Sequence, residues 1–237
     1  MKRLARALLC ALPLAVLACG ADPSRPKLFS TQWLDDQGQS IGEVVARLRG
    51  VRPAAGPDLV VAVAGNADKI VGAPLSGGGP SWTFAHALET RPIIAGPVVV
   101  ASGGGEVFAL DAATGKKLWA RPSGGLPLLG AGDDGQTTAL TLSRGGGSTL
   151  LLVGRDGGVR HQIETDKEIG DPAVVGGVVF IPWANQYVSA IDAASGEEIG
   201  RVTLRDKVTR AQPIGGALYF GELAYVRFDD RITMASR

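Results

Sequence analysis

From residue 28 onward the chain alternates short apolar runs with polar or glycine breaks. The runs DLVVAVAG, PIIAGPVVVAS, EVFALD, TTALTL, STLLLVG, PAVVGGVVFIP, YVSAID, RVTLRD and GALYFGE are rich in β-branched residues, and each is bounded by Gly, Pro, Asp or Asn. That pattern predicts many short strands joined by tight turns. Within VFALD, Val107, Ala109 and Asp111 alternate with Phe108 and Leu110, so the two sets face opposite sides of a strand. Residues 43–48 form the one candidate helical stretch, crowded by Gly42, Gly50 and Pro53. The predicted class is all-β.

A repeat emerges when the runs are aligned. FALDAATGKKLW (108–119) returns as SAIDAASGEEIG (189–200), and a degenerate copy, LLLVGRDGGVRH (150–161), lies between them. IVGAPLSGGGPSW (70–82) is a further copy with Trp82 matching Trp119, and YVRFDD (225–230) begins a fifth with Asp229 at the Asp position. A second marker runs in step: PIIAGPVV at 92–99, PAVVGGVV at 172–179 and PIGGALY at 213–219. A period of about 40 residues with some four strands per unit predicts a β-propeller of four-stranded antiparallel blades.

The repeated turn has its own chemistry. Asp111 and Asp192 can accept hydrogen bonds from free N–H groups of the turn, and the hydroxyls of Thr114 and Ser195 can act likewise. Gly115 and Gly196 suit the left-handed conformation that returns the chain. Lys116 and Lys117 become Glu197 and Glu198 in the second copy, a reversal that a site reading a charged ligand would not survive. Asp111, Thr114, Gly115, Asp192, Ser195 and Gly196 are therefore expected to be structural turn residues.

The N-terminus has the pattern of an export signal. Lys2, Arg3 and Arg6 precede an apolar run at 7–18 that is shorter than the roughly 20 residues a membrane-spanning helix needs. It ends in VLAC followed by Gly20, which resembles the bacterial lipoprotein cleavage box. The expected division is a signal peptide at 1–18, a tether at 19–27 lipidated on Cys19, and a propeller domain at 28–237. Cleavage would remove Cys10 and acylation would use the sulfur of Cys19, so no disulfide is expected. Loss of three basic residues turns the formal charge of +1 weakly negative, against a nucleic-acid partner. No cofactor and no metal are expected, because His86 and His161 are the only histidines and lie far apart in sequence. Residues 130–135, GAGDDG, match GxGxxG formally, yet two acids would repel phosphate and a strand pattern follows; a turn is expected there. The alternation of Arg201, Thr203 and Arg205 predicts an outer strand with a solvated polar face.

The pattern PxVxxGxVVxV, a glycine turn, then YALDAxTGxxxW resembles the pyrroloquinoline-quinone-like propeller repeat, over about residues 42–229. Within that superfamily, Gln32-Trp33-Leu34, Ile41-Gly42 and residues 60–64 are similar to the start of the BamB family, scaffold lipoproteins of the outer-membrane β-barrel assembly machine. The resemblance implies a non-enzymatic scaffold, anchored in the outer membrane, facing the periplasm, with the barrel-assembly core protein and unfolded outer-membrane clients as partners. Its alternatives are an exported quinone-dependent oxidoreductase and a cell-surface or signalling propeller. The family's rings have seven or eight blades, whereas about four and a half repeats are present here. Either the chain is a piece of a longer propeller, the favoured expectation, or residues 28–34 supply a missing strand and close a five-bladed ring.

Overall fold

The computed structural model describes residues 27–28, 41–204, 207–214, 217–221, 226–228 and 232–234. Strand β1 (Lys27–Leu28) and helix α1 (Ile41–Arg47) precede a series of antiparallel meanders. The first sheet holds β2 (Leu59–Ala64), β3 (Lys69–Pro74) and β4 (Trp82–Ala85). The second holds β5 (Ile93–Ala95), β6 (Val98–Gly103), β7 (Glu106–Asp111) and β8 (Lys117–Pro122), and the third β9 (Leu128–Asp133), β10 (Thr137–Ser143), β11 (Ser148–Gly154) and β12 (Val159–Thr165). The fourth is β13 (Ala173–Val175), β14 (Val178–Trp183), β15 (Tyr187–Asp192) and β16 (Glu198–Thr203). The pairs β17 (Arg210–Ile214) with β18 (Ala217–Gly221) and β19 (Val226–Phe228) with β20 (Ile232–Met234) follow.

The sheets are stacked face to face, so the middle strands are buried on both sides. Every residue of β6 and of β14 is buried. This is why VVVAS and VVFIP read as continuous apolar runs rather than alternating ones. Alternation decides which neighbour each side chain meets: Val107 and Ala109 pack against Leu140 and Leu142 of the third sheet, while Phe108 and Leu110 pack against Ile70 of the first. Leu150, Leu152 and Ile163 meet Val179, Ile181 and Ile191 between the third and fourth sheets. The result is a β-propeller of four-stranded antiparallel blades.

The first strands of successive blades run along the inside. Residues 93–96, 131–133, 171–174 and 210–213, joined by 53–54, line a central cleft of about 210 Å³. Residues 53–56 occupy the first-strand place of the first blade, since a side chain at Gly96 would meet the Ala54 carbonyl oxygen at 2.8 Å.

Two features differ from expectation. Leu28 does not complete the last blade; it pairs in parallel with Glu164, making β1 a fifth strand on the outer edge of β12. Residues 29–34, including Trp33, lie outside the described residues, as does Asp229. Helix α1 packs Val44 against the fourth sheet, near Val178 and Ala190, beside the place where β17 and β18 contribute Ala211 and Leu218. It covers the part of that face lying beyond the two strands of the fifth blade.

Phe108 is fully buried, with its ring centroid 5.5 Å from Phe84 and 4.7 Å from His86. Phe108→Ala should cost about 3–5 kcal/mol, and Lys117→Ala on the exposed part of β8 no more than about 0.5 kcal/mol. Urea unfolding midpoints at unchanged slope check both values.

Candidate functional site

The turn between the third and outermost strands recurs with the same bonds in two blades. Asp111 Oδ1 accepts from Ala113 N at 3.1 Å, Thr114 N at 2.9 Å and Thr114 Oγ1 at 2.8 Å. Asp192 Oδ1 accepts from Ala194 N at 3.1 Å, Ser195 N at 2.7 Å and Ser195 Oγ at 2.9 Å. Each hydroxyl then accepts from the N–H two residues on, at Lys116 and Glu197. Gly115 and Gly196 have φ of 68° and 69°, where an L side chain is strained, and each donates its N–H to the carbonyl of its aspartate. In both blades the strand register slips just before the turn, between Ala109 and Leu110 and between Ala190 and Ile191, leaving Leu118 and Ile199 as the extra residue of a bulge on the outermost strand. The intervening blade makes a tighter return, in which Gly157 donates to Gly154 and Asp156 accepts from Gly158 at 3.0 Å.

A ring from the preceding blade lies on each of these turns. Trp82 covers Gly115 so closely that a Cβ there would strike its ring, and its Nε1 donates to the Ala112 carbonyl at 2.9 Å. Trp119 covers Gly157, where a Cβ would lie 2.6 Å from the Trp119 Cβ. His161 covers Gly196, its Cγ 2.7 Å from a built Cβ, and its Nε2 bonds the Ala194 carbonyl at 2.9 Å. The match of Trp82 with Trp119 in sequence thus corresponds to a shared contact with the next blade.

Around the central cleft the charged groups are committed to one another. Asp171 receives Arg210 Nε at 2.6 Å and Nη2 at 2.5 Å, a two-pronged pair joining the first strands of the fourth and fifth blades. Burial pushes the Asp171 carboxyl above the ordinary range, and Arg210 opposes that shift. Asp133 accepts from Gly135 N and Thr138 Oγ1, both at 2.6 Å, with Arg155 Nη1 at 3.8 Å; burial again raises its carboxyl. Asp134 Oδ2 accepts from Gly177 N at 2.8 Å, tying the third blade to the fourth. Asp171 and Asp134 act as braces between blades, whereas Asp133 ties β9 to the turn and strand that follow it within the third blade. Among the described residues no cluster of three or more His, Cys, Asp or Glu side chains could hold a metal ion.

Several polar residues sit differently from their sequence expectation. Gly130 and Gly132 lie within β9 rather than in a turn, and a side chain at Gly132 would come 2.5 Å from the Pro172 carbonyl oxygen. Glycine there permits close approach of neighbouring first strands, and only the following acids form the turn. Arg201 is not solvated: its side chain is 11% exposed and its Nε lies 3.3 Å from Oε1 of Glu198, whose carboxyl burial raises. Thr203 is exposed, and Arg205 lies outside the described residues. Trp183 is buried against Tyr187 at 4.9 Å and donates to Ser189 Oγ at 3.0 Å, whereas Tyr219 is 57% exposed. Cys19 lies outside the described residues.

A family model described as "Outer membrane protein assembly factor BamB" matches residues 30–181. A Burkholderia pseudomallei protein named outer membrane protein assembly factor BamB is 33% identical over 109 residues, 45% of this chain and 28% of that protein. The β-propeller domain of Myceliophteria thermophila Cps50 (Swd1) superposes with a TM-score of 0.52 at 16% identity, covering 74% of this chain and 62% of that one, which supports the propeller fold. Moraxella catarrhalis BamB matches with a TM-score of 0.39 at 16% identity over 70% of this chain and 64% of its own. The matched part is under two thirds of the length of each of these relatives.

If the aspartates only hold turns, Asp111→Ala and Asp192→Ala should each destabilise by about 1–2 kcal/mol in thermal melts. Gly115→Val should cost more, because it adds backbone strain and a clash with Trp82. The N–H donated by Ser195 holds the Asp192 carboxyl below its ordinary range. A lowered folded-state value gives stability that is present above the unfolded value, about 3.9, and lost as pH falls through the folded one. The stability gap between wild type and Asp192→Asn should therefore be constant at neutral pH and close only in acid below about pH 4.

Proposed function

We propose a function from one premise: the chain belongs to the family of the outer membrane protein assembly factor BamB. It is a non-enzymatic scaffold of the cell envelope that binds protein partners during assembly and insertion of outer-membrane β-barrel proteins. Residues 1–18 direct export, Cys19 carries the lipid that holds the protein at the outer membrane, and the propeller faces the periplasm. The family match carries this reading.

Two physical features support it. Stacked blades hold many loops at fixed spacing, so partners meet a surface that does not have to be ordered on binding. The outer edges of the blades can also accept an extended segment, as the parallel pairing of β1 on β12 illustrates within the chain itself. Strand β4 pairs only with β3 among the described strands and leaves such an edge free in the first blade. The turn residues Asp111, Thr114, Gly115, Asp192, Ser195 and Gly196 serve this function indirectly, by keeping the blades in place.

The decisive experiment is affinity capture of the full chain from cross-linked membranes. Recovery of the barrel-assembly core protein is the expected result. Its absence, together with dye-linked alcohol or sugar oxidation on adding quinone and calcium, would replace the scaffold with an oxidoreductase. Cys19→Ser should leave the protein uncleaved or release it to the soluble fraction; a variant that matures and fractionates as wild type does would remove the lipid anchor from the account.

A further inference from the structure

A second cavity, of about 540 Å³, opens on the face of the fourth sheet, between α1 and the β17–β18 hairpin. Val45, Leu48 and Val51 line it from the helix side, and Phe180 and Leu218 from the sheets. Val45 and Val51 are 41% and 39% exposed, a high value for β-branched apolar side chains beside a hollow. The charged side chains on the lining are Arg49 and Arg52, with no acid among them. Both arginines are exposed, and neither guanidinium has an ion pair or hydrogen bond among the described residues.

The size falls within the range of about 300–1,000 Å³ that ligand pockets occupy, and it would accept some three large apolar side chains. Two unpaired guanidiniums on the rim call for carboxylates, which they bind in a two-pronged geometry. The two arginines stand three residues apart, one on either side of Gly50 and Val51, on the same rim of the cavity. Two guanidiniums call for two carboxylates, which neighbouring side chains of one polypeptide supply and a single acyl chain does not. We propose that this cavity docks an extended acidic segment of a partner protein, with large apolar side chains filling the hollow and neighbouring carboxylates paired with Arg49 and Arg52. The assignment rests on the scaffold reading, of which it names one partner chemistry.

Fluorescence polarisation on the purified full chain tests it. The probes are a labelled peptide alternating Phe or Leu with Glu, the same peptide with Lys for every Glu, and a fluorescent fatty acid. The proteins are wild type, the double variant Arg49→Glu/Arg52→Glu, and Ala46→Trp, which places a bulky ring in the cavity from an exposed helix position. The acidic peptide should bind wild type at least tenfold more tightly than the basic one and weaken with added salt. Its affinity should fall about tenfold in the double variant and by a similar factor in Ala46→Trp.

Equal binding of the two peptides, or acidic-peptide affinity unchanged in both folded variants, overturns the proposal. Fatty-acid binding that Ala46→Trp abolishes, without peptide binding, gives the cavity to a lipid instead. Should a variant fail to fold by its thermal melt, the acidic-to-basic ratio on wild type still decides. Membrane capture separates the two levels. If wild type and double variant recover the barrel-assembly core protein alike, and the double variant keeps wild-type affinity for the acidic peptide, the scaffold stands and the docking site falls; if wild type recovers none yet discriminates the peptides, the docking site stands and the scaffold falls.

Discussion

The contact on which the rest of the molecule depends is a ring from one blade lying on the turn of the next. Trp82 on Gly115, Trp119 on Gly157 and His161 on Gly196 set the spacing and the order of consecutive blades. Each contact asks two things of one glycine: at Gly115 and Gly196 a backbone with positive φ, and a bare Cα that lets the ring approach. At Gly115 and Gly196 the bonded aspartate holds the turn in the shape on which the ring rests. With turn and ring in place, apolar faces such as Phe108 with Ile70, or Leu152 with Ile181, meet at the spacing that close packing requires.

The histidine in this series shows what the position demands. His161 is smaller than Trp82 but donates through Nε2 to a turn carbonyl, as the Trp82 indole N–H does, at the same 2.9 Å. A flat ring with a polar edge atom aimed at the turn is the common element. Trp119 keeps the ring but not the bond, since its Nε1 has no partner, and there Arg121 reaches the Gly157 carbonyl instead. The turn carbonyl is satisfied in each blade by a different route, which explains how the third copy of the repeat can lose its aspartate at the usual place and still hold station.

Sequence reading reached the strands, the turn and the blade period because each leaves a local trace: alternation, Asp with a hydroxyl residue and Gly, and the recurrence of both. What it missed is non-local. Gly130 and Gly132 look like turn residues, and only the neighbouring Pro172 shows that their smallness serves contact between strands. Arg201 looks solvated in an alternating strand, but its pairing with the buried Glu198 holds it inward. The parallel pairing of Leu28 with Glu164 had no sequence signal, since two residues of an extended segment can add to any free edge. For the candidate docking cavity, a helical stretch at 43–48 was legible in the sequence, two residues short of the observed start at Ile41, while the face it covers was not, because that face is built from the fourth and fifth blades.

Rigid blades and an adaptable rim follow from the same arrangement. Inner strands are held by Asp171 with Arg210 and by Asp134 with Gly177, bonds between blades that resist sliding. Among the described strands the outer edges of β4, β8 and β16 pair with nothing further, while that of β12 carries β1. On the scaffold reading proposed above, the periphery is the part that would meet partners while the centre stays fixed, so that binding would not carry the cost of ordering the scaffold. The fourth blade departs from that division, because its face is covered by α1 and two strands rather than by a full neighbouring sheet. At the apolar surface left beside α1 the interior packing of the blades meets a basic, solvent-facing rim.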